Sequence, residues 1–330
     1  MITVNQFLDL SKNAKVQWAE ARPEFPIVRN LVALIKPVTQ RTSEYSNIGM
    51  GDTARRRNDG DDAWKGTLKQ GYTKNFTQAE IAYQVDVTKQ LRKFDKYDEI
   101  MKRMRLMKRN AERRYEMDVA GYFSYAWSSS YTNIDGETVS TTTPDGNTLI
   151  YSAHTCNGSS NTYSNEISTT HSPIDPDVLE ALEEKFNGFL DEADGRGIPV
   201  IPNAIITGRH APTRHMVSRI LNPVQGFKPG TANNDANDFQ DYKHIVVPYL
   251  DWNLQTEQRD SNKYRYCFLA RVQDQDNPGL IVEESQGIEF EAPEQVFESS
   301  VWQFLTTALY DHGTVAANWI AGTKGDGSSV

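Results

Sequence analysis

Residues 96–127 read KYDEIMKRMRLMKRNAERRYEMDVAGYFSYAW, and the spacing within them decides how the rest of the chain is read. Ile100, Met104, Met107, Ala111, Tyr115, Val119 and Phe123 recur at steps of three and four. That period puts them on one stripe of a helix turning by ~100° per residue. Lys102, Arg105, Arg109 and Arg113 recur at the same spacing, roughly opposite the stripe. At ~1.5 Å per residue a helix over 96–127 would be roughly 48 Å long, which is unusual for a chain of 330 residues. Charge marks the same region. From Lys89 to Arg114 there are 11 basic and 4 acidic residues, a net of +7. The whole chain carries −9, so everything outside that segment carries −16. An acidic protein with one basic element is a poor general nucleic-acid binder, yet the element itself has two readings. It is either a solvated face balanced by neighbouring acids or a surface that meets packaged polyanion.

On the N-terminal side, residues 1–47 read as an arm. Pro23, Pro26 and Pro37 exclude one long helix, while NLVALIKPV (30–38) is apolar enough to dock. Residues 48–63 are rich in Gly and Asp and nearly free of large apolar groups, so they cannot bury a core and form an exposed loop. Ile81, Tyr83, Val85 and Val87 then alternate with Ala82, Gln84, Asp86 and Thr88, the period of a half-buried strand. Together, 48–88 form a long hairpin-like excursion, far beyond the usual connection of about 4–6 residues.

On the C-terminal side, 128–174 is polar, with a strand-like LIYSA (149–153) inside it. Asp175 followed by Pro176 and Asp177 predicts a helix start, with Val178, Leu182, Phe186 and Phe189 as its buried face. PVIPNAIITG predicts a buried strand, TRHMVSRIL a short helix, and 222–241 a second polar loop. Strands are expected at HIVVPYL, YRYCFLA, GLIVEE and GIEFEA, then a closing hairpin turning at Asp311-His312-Gly313. No internal repeat is visible.

Composition and motifs exclude more than they assign. No run of 18 apolar residues provides a membrane span, and the N-terminus lacks a basic segment followed by an apolar core. Cys156 and Cys267, the only cysteines, are far apart and suit a reducing compartment. His154 lies two residues from Cys156, which raises a thiolate–imidazole or metal hydrolase as an alternative. A nucleophile and base adjacent in sequence lack the distant orienting partner that a triad needs, so packing beside a strand is the expected role. The histidines at 154, 171, 210, 215, 244 and 312 form no H-E-x-x-H or similar spacing, and no metal or cofactor is expected. NNDANDFQD (233–241) lacks the sixth-position glycine and closing glutamate of a calcium loop. No glycine-rich phosphate-binding motif occurs.

The order of these elements is that of a known architecture. An arm, a long polar excursion, a strand, one very long helix, a mixed insert and returning strands resemble the Hong Kong 97-type fold of tailed-bacteriophage major capsid proteins. DGNTLIYSAHT (145–155), HIVVPYLD (244–251), GLIVEESQGIEFE (279–291) and YDHGTVAANWIAGTKG (310–325) are similar to that family's strings in order and character. The likeness covers roughly residues 25–325. It implies an α+β subunit with an N-terminal arm (1–47) and an extension loop (48–88) lying over a neighbour. A peripheral domain with the spine helix (89–174), an axial domain (175–275) and peripheral return strands (276–330) complete it. It further implies pentamers and hexamers of an icosahedral shell around double-stranded DNA, in a virion capsid assembled in the bacterial host cytoplasm. A separate scaffolding protein and a portal are expected partners, since the chain begins at Met1 almost directly with the arm. Arg55, Arg56, Arg57 and Lys65 become candidate subunit contacts, and Lys102, Arg105, Arg109 and Arg113 candidate inner-surface contacts to DNA. Lys65 and Lys69 lie where some relatives form a lysine–asparagine cross-link, but no partner asparagine is identified. An encapsulin-like compartment, with the same fold around protein cargo, is the nearest alternative.

Overall fold

The computed structural model describes residues 4–49, 51–60, 62–93, 97–167, 173–221, 239–291, 293–296 and 301–325. The long helix runs from Tyr97 to Ser124, 28 residues, or about 42 Å. Asp98 and Glu99 sit in its first turn, where carboxylates complement the helix dipole. Its two halves are buried differently. Up to Arg109 only the Ile100–Met104–Met107 stripe is covered, whereas from Tyr115 to Ser124 every residue is buried. The second half is therefore a core helix with contacts all round. Phe123 meets Phe268 and Trp319 edge-on, with ring centroids 5.7 and 6.3 Å away.

The first half packs on a sheet and on a helix that the arm reading did not contain. Val4–Glu20 is helical, and Ala14 joins Val87, Ile100, Met104, Met107, Trp302 and Phe304 in one apolar cluster. The prolines at 23 and 26 end that helix without preventing it, because they follow its last residue. The sheet orders strand Leu34–Pro37 against Leu280–Phe290, then Val301–Thr314, then Ala79–Val87. The first pair is parallel and the others antiparallel.

Two strand expectations are corrected here. GLIVEE and GIEFEA belong to a single strand, 280–290, whose register shifts between Glu284 and Glu289. The expected turn at Asp311-His312-Gly313 does not exist, since strand Val301–Thr314 runs straight through it. Asp311 accepts the Thr77 backbone N–H, and Tyr122 donates its hydroxyl to the His312 carbonyl at 2.9 Å. Gly313 serves close approach, for a Cβ there would lie 2.9 Å from the Phe76 ring.

A second, four-stranded sheet orders Lys243–Val246, Ala204–Thr207, Cys267–Ala270 and Ile320–Thr323. The last three strands are buried throughout, as sheets covered on both faces must be. Alternation sorts their side chains: Ala204, Ile206, Phe268, Ala270 and Ile320 face the long helix's core, and Ile205, Cys267, Leu269 and Ala321 face a second core. That second core is roofed by helices Pro176–Asn187 and Ala211–Ile220. Asp175 caps the former as its sequence predicts, accepting the Val178 N–H at 2.7 Å. LIYSA is not a strand: Leu149 and Ile150 are buried, but the strand starts at His154–Cys156 and pairs with Ser159–Tyr163.

The excursion is a hairpin of Thr42–Ile48 with Gln70–Thr77. Its stem begins inside the residues read as arm, and Ala79–Val87, read as part of the excursion, belongs to the first sheet. The polar loop at 222–241 falls outside the described residues as far as 238.

Candidate assembly surface

The hairpin stem is seated on the turn at 191–196 by close backbone packing. Gly49 donates its N–H to the Lys69 carbonyl at 3.0 Å, and a Cβ on Gly49 would come within 2.8 Å of the Ala193 Cβ. Asn157 donates to the Gly71 carbonyl at 3.2 Å, and the Tyr72 and Thr155 hydroxyls lie 3.0 Å apart. At the top of the stem Asp52 pairs with Arg196 and accepts the Thr67 N–H at 3.1 Å. The Arg196 guanidinium, then the Thr67 N–H, hold the Asp52 carboxyl at about 2.

Beyond that clasp the described residues form no helix or strand until Gln70, and each of them from Thr53 to Lys69 is exposed. Arg55 lies over the Trp64 ring at 4.0 Å, a cation–π contact within the exposed segment. Arg56, Arg57 and Lys65 are exposed along it, and so is Leu68. Thus the structure places the four candidate contact residues on one projecting tip.

On the long helix Lys102, Arg105 and Arg109 share an exposed face. Arg113 is drawn off it. Its guanidinium meets Glu257 at 3.2 Å and lies 5.5 Å from the Trp252 ring. The neighbouring cations are also engaged with protein groups: Arg103 pairs with Glu99 at 2.7 Å, and Arg114 with Asp118 and Asp135 at 3.1 and 2.7 Å. Lys108 donates to the Ala19 carbonyl at 3.1 Å, tying the N-terminal helix down. Helical period alone finds the stripe but not these partners, since Glu257 comes from a distant loop.

His154 and Cys156 are both buried, on the same side of their short strand. His154 Nδ1 lies 2.9 Å from Asp145, and its ring stacks on Tyr163 at 5.2 Å. Burial, followed by the nearby Glu192 and Asp191 carboxylates, pushes the Cys156 thiol up to about 11. A thiol so placed is a proton-bearing core side chain at neutral pH, the reverse of an activated nucleophile. Asp145 orients the histidine, yet it does so inside a packed strand pair.

The other described histidines are dispersed. His210 meets the Thr213 hydroxyl at 3.0 Å, His244 the Thr207 hydroxyl at 2.8 Å, and His312 the Tyr122 hydroxyl at 3.0 Å. His215 is exposed, and His171 and most of the NNDANDFQD string lie outside the described residues. Among the described residues no three His, Cys, Asp or Glu side chains are grouped to hold a metal ion, and no helix is long and apolar enough to cross a membrane.

Three solved structures share this arrangement across most of their length. The chain is 9% identical to one in the capsid structure of the cyanophage P-SCSP1u, with a TM-score of 0.53 over 88% of this chain and 85% of that one. It is 8% identical to a chain in the capsid of the Myoviridae phage XM1, with a TM-score of 0.52 over 92% and 93%. A chain of Gordonia phage Cozz gives 11% identity and 0.52 over 91% and 86%. No protein-family profile matches the sequence, and no curated protein matches it. At such identities the likeness is one of fold. The chain has the α+β fold seen in these phage structures, in keeping with the Hong Kong 97-type resemblance.

Proposed function

We propose that this chain is a major capsid protein, a shell-building subunit that forms pentamers and hexamers of an icosahedral head around double-stranded DNA. The observation that carries the reading is the fold shared with phage capsid chains over most of their length. The exposed tip supports it, since a segment that buries nothing in its own subunit is suited to bury itself on another. In this reading the arm leads up to the hairpin, the hairpin of 42–77 with its tip is the extension loop, the long helix is the spine of the peripheral domain and 175–275 the axial domain. Arg55, Arg56, Arg57 and Lys65 contact a neighbouring subunit. The work is geometric, many weak contacts adding into a closed cage, and the chain needs no catalytic group or cofactor. A separate scaffolding protein and a portal complete the assembly in the host cytoplasm. Electron microscopy of the purified chain, alone and with its scaffold, tests this directly. Closed particles are expected, and a monodisperse monomer under every such condition overturns it.

The exposed Lys102, Arg105 and Arg109 face DNA on the inner surface, with Arg113 contributing less because Glu257 already neutralises it. Replacing the first three with Gln should spare folding, since they sit on the solvent face. Filled heads should then lose DNA at lower salt than the unaltered heads, because fewer phosphate contacts remain and fewer counterions are released in all. Arg113→Gln alone should shift that salt threshold least. Equal retention by the triple variant, or a head with this face outward, rejects the assignment.

A further inference from the structure

The two helices that roof the second core carry opposite charge on their exposed faces. In Pro176–Asn187 the exposed acids Asp177, Glu180 and Glu184 follow a spacing of three and four, so they form one stripe opposite the buried Val178, Leu182 and Phe186. With Glu183 and Lys185 included, the helix carries a net −3. In Ala211–Ile220 the exposed polar arc holds Arg214, His215 and Arg219, opposite the buried Thr213, Val217 and Ile220. That helix has no acid at all. Arg209, which lies over the Phe25 ring at 4.3 Å, precedes it and Lys243 lies on the strand beneath, both exposed; among the described residues that flank it in sequence, Asp241 is an exposed acid.

Topology separates the two charges in a fixed direction. The four-stranded sheet runs Lys243–Val246, Ala204–Thr207, Cys267–Ala270, Ile320–Thr323. The acidic helix contacts the Ile320–Thr323 side and the basic helix the Lys243–Val246 side. Both lie on the same sheet face, because their buried residues share one cluster. This half of the molecule is therefore acidic toward one sheet edge and basic toward the other.

We infer that the occupant of each charged flank is a second copy of this chain, the acidic helix of one subunit meeting the basic helix of the next. Such a contact joins two different surfaces, and unlike patches joined by rotation continue from copy to copy until a ring closes. A two-fold contact would pair the same two helices reciprocally and stop at a dimer, whereas charges set toward opposite sheet edges can each take a different neighbour. The inference rests on the capsid reading and specifies which faces meet within its rings. Complementary charge sets register and encounter rate more than raw affinity, so the contact should weaken as salt rises.

Charge exchange tests it. One variant carries Arg214→Glu and Arg219→Glu, and a second carries Glu180→Lys and Glu184→Lys. All four side chains are exposed, so both variants should stay folded by circular dichroism; because Glu180, Glu184 and Arg219 also have contacts within the subunit, the thermal midpoint of each variant is measured beside its assembly. Each alone should need at least about tenfold more protein to form capsomers, a change expected when several favourable pairs become repulsive. Mixed together, the two variants should assemble, since every acidic flank again finds a basic one. The mixture must alternate around the ring, so it should yield even-numbered rings and no pentamers. That outcome excludes pairing within one chain. Normal assembly by either variant alone, or a mixture no better than its components, overturns the inference. Failure of the unaltered chain to form any oligomer is a different result and counts against the capsid reading itself. The neutral Arg214→Gln, Arg219→Gln chain should fall between, and one that unfolds would show that these residues stabilise the subunit instead.

Discussion

A chain lacking residues 53–66, with Asp52 joined to Thr67 by a Gly-Ser link, should be soluble, fully folded and unable to close a shell. Asp52 and Thr67 are already in hydrogen-bond contact, so the cut closes across an existing clasp. The removed tip is exposed at every described position, and its described residues form no helix or strand. Its contacts within the subunit, the Arg55–Trp64 pair and one made by Arg57, lie on an exposed surface, where each is worth of order 0.5–1 kcal/mol. Ordering each of its residues costs about 1–2 kcal/mol in backbone entropy. The segment can recover that cost only against another molecule, as coupled folding and binding requires. The thermal midpoint should therefore move by no more than about 3 °C, while size exclusion should show monomers or open capsomers in place of particles. Shells of ordinary size would remove the overlap mechanism. A molten variant would show that the tip belongs to the subunit core.

What the sequence made legible follows from periodicity, and what it hid follows from long-range contact. The long helix was readable because Ile100, Met104 and Met107 repeat on one face against charged neighbours, so its ends were off by one residue and three. Asp175-Pro176 marked a helix start because capping is local chemistry. The helix at Val4–Glu20 was missed, since its docking residues Ala14 and Trp18 are few and its partner surface lies on the long helix and a distant strand. Asp311-His312-Gly313 has the composition of a turn, and only tertiary context overrides that. Phe76 needs the space beside Gly313, and Tyr122 holds His312 in the strand. Among the candidate site residues, exposure of the tip was inferable from its lack of apolar groups. The capture of Arg113 by Glu257 was not, because nothing in the helix signals a partner 144 positions away.

The same limit applies to the residue expected to matter most for the subunit's stability. Arg29 looks like one more surface cation in the arm, yet its guanidinium reaches Glu112 at 2.7 Å and Glu116 at 2.8 Å on the long helix. It also lies 4.3 Å from the Tyr115 ring, which stacks on Tyr310 of the sheet at 3.9 Å. Glu116 in addition accepts the Val28 N–H at 2.9 Å, so one buried cluster joins arm, helix and sheet. The three charged side chains are 7–11% exposed. Arg29→Ala removes the only cation of this cluster and leaves two buried carboxylates facing each other, a change that costs about 3–5 kcal/mol. Burial already pushes the Glu116 carboxyl up, against the opposing donors of Val28 and Arg29. Without the guanidinium it should rise further. A carboxyl raised in the folded state binds more protons there than in the unfolded chain, so stability falls as pH rises through that interval. The deficit of Arg29→Ala should thus be largest near pH 7 and shrink as pH falls toward the ordinary carboxylate range. Arg29→Met combined with Glu112→Gln and Glu116→Gln removes every charge and should recover much of the loss, since no uncompensated ion stays buried. Urea midpoints of the three chains between pH 4 and pH 8 measure both effects. A deficit that is small, or that does not change with pH, would show that the cluster is hydrated and that the arm is held by its apolar contacts alone.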